Sequence, residues 1–216
     1  MIDVVHEIED AHREIAEGRG PTGAGRALRL RRDFEAPIED VWDALTNPER
    51  IGRWFLPISG DYRVGGRYQL EGNAGGEIVV CERPHRLKVT WAYGEMTTDV
   101  DVSELELRLF SIDDGVTRFE LDHTAVVPEE AWAEYGPGAV GIGWDQALLG
   151  LALHLRGEPL SDPDGWPQSA EGRDFFTRSS EAWGQANSAA GADPEVVARG
   201  VASSTAFYAP EPDAGS

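Results

Sequence analysis

The residues able to do chemistry are few. Of the five histidines, two fall on apolar faces. His123 alternates with Phe119 and Leu121 in a strand-like run. His154 ends a stripe of small residues, Gly143, Ala147 and Gly150, in a helical run. An imidazole titrates near neutral pH, so an inward-facing one can act as a general acid or base or orient a ligand oxygen. It can equally be a hydrogen-bonded core group. No Ser, Cys or carboxylate stands at a spacing that marks a nucleophilic triad with either histidine. His6, His12 and His85 are expected in solvent. No cluster of His, Cys and carboxylate residues has ligand spacing, so neither a metal nor another cofactor is expected. Glu104 and Glu106 share a strand face opposite Leu105 and Leu107. Such a pair can exchange protons, but carboxylates alternating with leucines more often mark a solvated outer side, and Arg63 and Arg67 read outward too. Cys81 alternates with Val79 and reads as a small buried hydrophobe. Gly65-Gly66 does not lead from a strand into a helix, as a phosphate loop would.

Aromatic residues supply a second candidate site. Trp54, Phe55, Tyr68, Trp91, Tyr93 and Trp144, joined by Ala147, His123 and His154, are expected to line a concave surface. Together they suit a flat or greasy molecule, with phenol and indole groups giving a few directed hydrogen bonds. The competing reading is ordinary core. Trp42 and Trp91 read as core, whereas Trp54 and Tyr68 stand beside the expected helix-to-sheet opening.

The elements that must position these residues follow from periodicity. Residues 2–17 read as an amphipathic helix with Val4, Ile8, Ala11 and Ile15 on one stripe, and Gly18 to Gly25 as a flexible linker. Leu28 to Phe34 alternates apolar and charged residues and reads as a strand. Pro37 opens a helix carrying Ile38, Val41, Trp42 and Leu45, and Asn47-Pro48 caps and starts another that Pro57 stops. From residue 61 the period is two. Tyr62, Val64, Tyr68 and Leu70, then 77–83, 86–93, 103–111 and 117–125, give a run of antiparallel strands. Asp113-Asp114-Gly115 is a hairpin turn. Residues 158–170 are a loop. Phe175, Phe176, Ser179, Trp183 and Ala186 mark a helix. Pro194 starts the last helix, bearing Val197, Val201, Ser204 and Tyr208, and a disordered tail is expected from Pro210. Strands grouped together, with helices apart from them, argue for an α+β fold.

Residues 138–157 are the central helix. Val140, Trp144, Leu148, Leu151 and Leu155 form one bulky stripe, and Ile142, Leu149 and Leu153 another. Only Asp145, Ala152 and Arg156 suit water. Glycine inside a helix costs about 1 kcal/mol relative to alanine. Gly143 and Gly150 therefore imply either close approach of another backbone or space in front of the helix, with the small stripe facing a sheet.

The chain has 216 residues, 41% of them hydrophobic, and a formal charge of -20. That charge argues against nucleic acid or an anionic membrane surface as partner. With one cysteine, no internal disulfide is expected. The N-terminus has neither a basic n-region nor an apolar h-region, and the central helix is too short and polar to span a bilayer. A soluble cytoplasmic protein with no membrane span is expected.

The segment RRDFEAPIEDVWDALTNPERIGRWFLP, then GDYRVGGRYQL, LKVTW, GVTRFELDH and a GW before the last long helix, resembles the activator of heat-shock-protein-90 ATPase (AHSA-type) family of the START-related SRPBCC superfamily. The resemblance implies a helix-grip fold, a curved antiparallel sheet wrapped around a long C-terminal helix with a cavity between them. It divides the chain into an N-terminal helix and linker (1–25), a helix-grip domain (26–157) and a C-terminal helical extension and tail (158–216). Co-chaperones of this family carry a separate N-terminal chaperone-binding domain, where residues 1–25 stand here. The expected function is binding of a hydrophobic small molecule. The alternatives are a cyclase/aromatase- or hydrolase-type enzyme using His123 or His154, and a co-chaperone-like interaction module. Phe175, Phe176 and Trp183 either dock on the chain's own elements or form a homodimer contact.

Overall fold

The structure is a computed structural model describing residues 2–20, 23–93 and 103–210. Its strands are His12–Gly20 (β1), Gly23–Phe34 (β2), Ile58–Gly60 (β3), Arg67–Leu70 (β4), Ala74–Glu82 (β5), Arg86–Tyr93 (β6), Ser103–Asp113 (β7) and Val116–Ala125 (β8). They form one sheet in the order β1-β2-β8-β7-β6-β5-β4-β3. The helices are Val4–Glu9 (α1), Ile38–Thr46 (α2), Pro48–Trp54 (α3), Glu129–Tyr135 (α4), Gly138–Arg156 (α5), Ala170–Ala189 (α6) and Pro194–Tyr208 (α7). The α+β class holds. The tail expected from Pro210 lies, from residue 211 on, outside the described residues.

The chain forms two compact units that interleave along the sequence. One comprises residues 16–127 and 150–159, the other residues 1–15, 128–149 and 160–216.

The first unit is built on the sheet. Antiparallel pairing sets Leu28 opposite His123, Leu30 opposite Leu121 and Leu105 opposite His123, so one face collects apolar side chains. The other face carries charge pairs across neighbouring strands: Lys88–Glu104, Arg86–Glu106, Arg118–Asp33 and Arg29–Asp122. Glu104 and Glu106 therefore stand on the outer face as ion-pair members. Asn47 caps α3, accepting from the Glu49 amide at 3.1 Å, with Pro48 in the first turn.

Several expectations are corrected here. The first helix ends at Glu9, and residues 12–20 are a strand rather than helix and linker. Two of the glycines read as flexible, Gly18 and Gly25, are required by close packing. A Cβ on Gly18 would stand 2.6 Å from the Thr124 methyl, and one on Gly25 would strike the Ala125 carbonyl. Tyr62 and Val64 are exposed in a loop, not strand residues, and Gly65 turns that loop at φ 79°. Cys81 is exposed, not buried. It pairs with Leu87 beside the β5–β6 turn, past a register shift between Ile78 and Val80.

The second unit is helical. In it Asp145, expected to face water, is 3% exposed. Arg13 Nε reaches both its carboxylate oxygens, at 3.2 and 3.0 Å. Ser179 Oγ and Trp183 Nε1 donate to the same carboxylate. Burial pushes the Asp145 carboxyl up, opposed by Arg13, Ser179 and Trp183. The Arg13 guanidinium also donates to the carbonyls of Ile8 and Ala11. The partners come from both ends of the sequence, so helical periodicity in α5 could not reveal them. Gly141 lies flat against the Trp183 ring, and Gly138 against Ser204. Phe175, Phe176 and Trp183, offered above as a dimer contact, are buried within this unit.

Candidate binding site around Trp91

Within the sheet unit the register gathers three of the expected site residues around a fourth, Trp91. Trp91 and Tyr93 are two apart on β6, so their side chains leave the same face. Their rings meet edge-on with centroids 6.4 Å apart. His123, two strands away on β8, meets the Trp91 ring at 6.3 Å, also edge-on. Tyr68, on β4, lies 6.4 Å from it. Gly76 makes that last contact feasible. It stands opposite Tyr68, and a Cβ there would strike the Thr90 carbonyl. With that space clear, Tyr68 Oη donates to the Thr90 carbonyl at 2.8 Å. Burial pushes the Tyr68 hydroxyl well above its ordinary range, with a smaller push from Tyr93. Tyr68, Trp91 and His123 are buried, whereas Tyr93 is 63% exposed. The cluster thus reaches the surface at Tyr93.

The polar partner of His123 is Ser103, which periodicity alone did not single out. It stands opposite Trp91 in the β6–β7 register. Ser103 Oγ donates to the Trp91 carbonyl at 2.8 Å, and His123 Nε2 lies 2.8 Å from the same oxygen. A serine hydroxyl has one hydrogen. With that hydrogen on the Trp91 carbonyl, His123 Nε2–H is the donor and Ser103 the acceptor. The histidine therefore does not withdraw the serine proton, as nucleophilic activation would require. Burial lowers the His123 pKa to about 4, opposed by Asp122, so the ring is neutral at pH 7. The signal for Ser103 was its alternation with Leu105 and Leu109 on β7, legible only once the strand partner is known.

The remaining expected residues stand elsewhere. Trp54 and Phe55 stack with centroids 5.6 Å apart and an interplanar angle of 24°. Trp54 Nε1 donates to the Ala44 carbonyl at 3.0 Å. A Cβ on Gly150 would stand 2.5 Å from the Trp54 carbonyl oxygen. The notch at Gly150 is thus closed by the backbone of α3 and does not face the sheet. Next to it on α5, half-buried His154 accepts from Arg50 Nε at 3.2 Å. Arg50 is held by Asp40 and Asp43 at 2.7 and 3.0 Å. Burial, then Arg50 and Arg53, lower the His154 pKa. The two histidines thus have different polar partners, Ser103 and Arg50. Trp144 and Ala147 belong to the helical unit. Among the described residues no group of three His, Cys or carboxylate side chains could hold a metal ion.

Residues 35–156 match the family described as activator of Hsp90 ATPase homolog 1-like protein. The chain belongs to that family. Among solved structures, it is similar to CalU16 from Micromonospora echinospora. The crystal structure of CalU16 gives 33% identity and a TM-score of 0.66, over 82% of this chain and 97% of that one. Its solution structure gives 34% and 0.69, over 83% and 96%. An HSP90 activator from Plasmodium falciparum shares the fold at 22% identity and a TM-score of 0.52, over 62% of this chain and 97% of that one. The CalU16 match thus extends well beyond the family region, whereas the activator match does not cover the whole of this chain. No curated protein matches the chain. These relatives place the sheet and its long helix in the helix-grip class. No helix among the described residues is long and apolar enough to cross a membrane.

Proposed function

We propose that this chain is a cytoplasmic binding protein for a flat, hydrophobic, uncharged small molecule, held at the aromatic cluster of Tyr68, Trp91, Tyr93 and His123. The observation that carries the reading is the gradation within that cluster. Three rings are buried, while Tyr93, in contact with Trp91, is 63% exposed. A large exposed aromatic beside a buried one leaves apolar surface for a planar guest to cover. Three polar groups of the cluster are engaged in neutral hydrogen bonds: Tyr68 with Thr90, Ser103 with Trp91, and His123 with Ser103. None supplies a formal charge, and the overall charge of -20 disfavours an anionic guest.

The enzyme reading is less well supported. His123 is neutral and donates to the serine beside it, the wrong direction for base catalysis. The binding site is proposed on the Trp91 cluster rather than on the α5 notch, because Gly150 is closed by Trp54. Native mass spectrometry of the chain incubated with an equimolar mixture of neutral planar aromatics and fatty acids tests the reading. A one-to-one adduct with an aromatic, diminished in Tyr93→Ala, is expected. No adduct, or adducts equal in the variant, would overturn it.

A further inference from the structure

Away from the Trp91 cluster, α3 meets the C-terminal part of α5 along a seam within the sheet unit. Arg50 Nε donates to His154 Nε2 at 3.2 Å. Four residues on along α3, and four back along α5, Trp54 meets Gly150. A Cβ on Gly150 would stand 2.5 Å from the Trp54 carbonyl oxygen and 3.7 Å from its ring. Residues four apart share a helix face, so the two contacts lie side by side. α2 holds the Arg50 guanidinium in place. Nη1 donates to Asp40 Oδ1 at 2.7 Å, to the Asp40 carbonyl at 3.2 Å and to Asp43 Oδ2 at 3.0 Å. Trp54 Nε1 is tied to α2 as well, through the Ala44 carbonyl. α3 therefore stays with α2, and the seam with α5 is where the packing can open.

The polar contact of that seam depends on one proton. Arginine only donates and keeps its charge, so the bond exists only while His154 Nε2 presents a lone pair. Protonation turns that nitrogen into a donor facing a donor and sets a second cation beside the first. Burial, then Arg50 and Arg53 of α3, lower the His154 pKa, opposed by Asp40 of α2. Asp43 is engaged by Arg50, and on α5 itself Arg156 pairs with Glu158 at 3.3 Å. The imidazole is thus neutral at pH 7 and takes up its proton below pH 6.5, within the range that histidine switches use.

We propose that Arg50 and His154 form a proton-operated latch: closed with the imidazole neutral, it ties α3 to α5, and protonation of His154 releases α3. NMR of the full chain tests this by following cross-relaxation between the Trp54 indole and the Gly150 α-protons from pH 7.5 to pH 5. The contact should be present at pH 7.5, fade with the titration of the His154 ring nitrogens, and persist to pH 5 in His154→Gln, which does not titrate. Arg50→Met, lacking the donor, should likewise show no pH dependence of the contact, and it decides the matter should His154→Gln not fold. A contact undiminished at pH 5 in the wild-type chain, or one lost over the same range in either variant, would overturn the latch.

Discussion

His123 joins a hydrogen bond with Ser103 and an edge-on contact with Trp91. Its pKa is lowered to about 4 from an ordinary 6.5. Between those values the unfolded chain binds a proton that the native state refuses. Stability is therefore fully present above about pH 6.5 and is lost as pH falls toward 4, by about 3 kcal/mol at most. His154 is shifted in the same direction, so the His123 share must be read as a difference. Urea denaturation at pH 7.5 and pH 4.5 should show a smaller pH-induced loss in His123→Gln, whose amide keeps a donor toward Ser103. Equal losses in both proteins would contradict a neutral buried imidazole. Ser103→Ala leaves the His123 Nε2–H without its acceptor and should cost about 1–3 kcal/mol, read as a lower denaturation midpoint at unchanged slope. The facing of this histidine was legible from its alternation with Phe119 and Leu121. Its serine partner was not, because cross-strand register is not written in either strand alone.

Helix α5 shows why the same residue type can have opposite reasons within one element. A Cβ on Gly150 would stand 2.5 Å from the Trp54 carbonyl oxygen. Backbone on the far side cannot give way cheaply, so Gly150→Ala should destabilise by about 1–3 kcal/mol. A Cβ on Gly143 would meet only the Tyr208 hydroxyl, at 3.6 Å, which is ordinary contact. Gly143→Ala should therefore keep most of the propensity gain of about 1 kcal/mol. Thermal melts of the two variants should move in opposite directions; a loss in both would refute this packing. The glycines were visible in the sequence as an oddity to explain, and both explanations were open. What closed the choice was α3, whose chain position gave no hint of contact with α5. Asp145 failed as a solvent-facing residue for a related reason. Its neighbours on the helix pointed to water, but Arg13 and α6 cover it. Arg13→Ala leaves that carboxylate buried without its cation and should cost on the order of 3–5 kcal/mol, with chemical denaturation as the readout.

The chain as an entity shows a clear division between what local pattern can and cannot reveal. The α+β class, α2 and α3, the β7–β8 turn and the two C-terminal helices follow from period, caps and turn residues that act over a few positions. The N-terminal strand did not, because residues 12–17 read as helix and 18–20 as linker until β2 pairs with them. Nor did the interleaving of the two units, which assembles segments more than a hundred residues apart. The aromatic cluster falls between these cases. Trp91 and Tyr93 were paired by period alone, and Tyr68 and His123 joined them only through sheet order. The most direct measurement is a fluorescence titration with the neutral planar amine 1-aminoanthracene, comparing the wild-type chain with Tyr93→Ala. Tyr93 is exposed, so its removal should leave the melting temperature unchanged. The loss of one ring contact should weaken binding several-fold, up to about tenfold. Saturable binding weakened by that factor is the expected result. No saturable binding, or an affinity identical in the variant, would contradict a ligand site at this cluster.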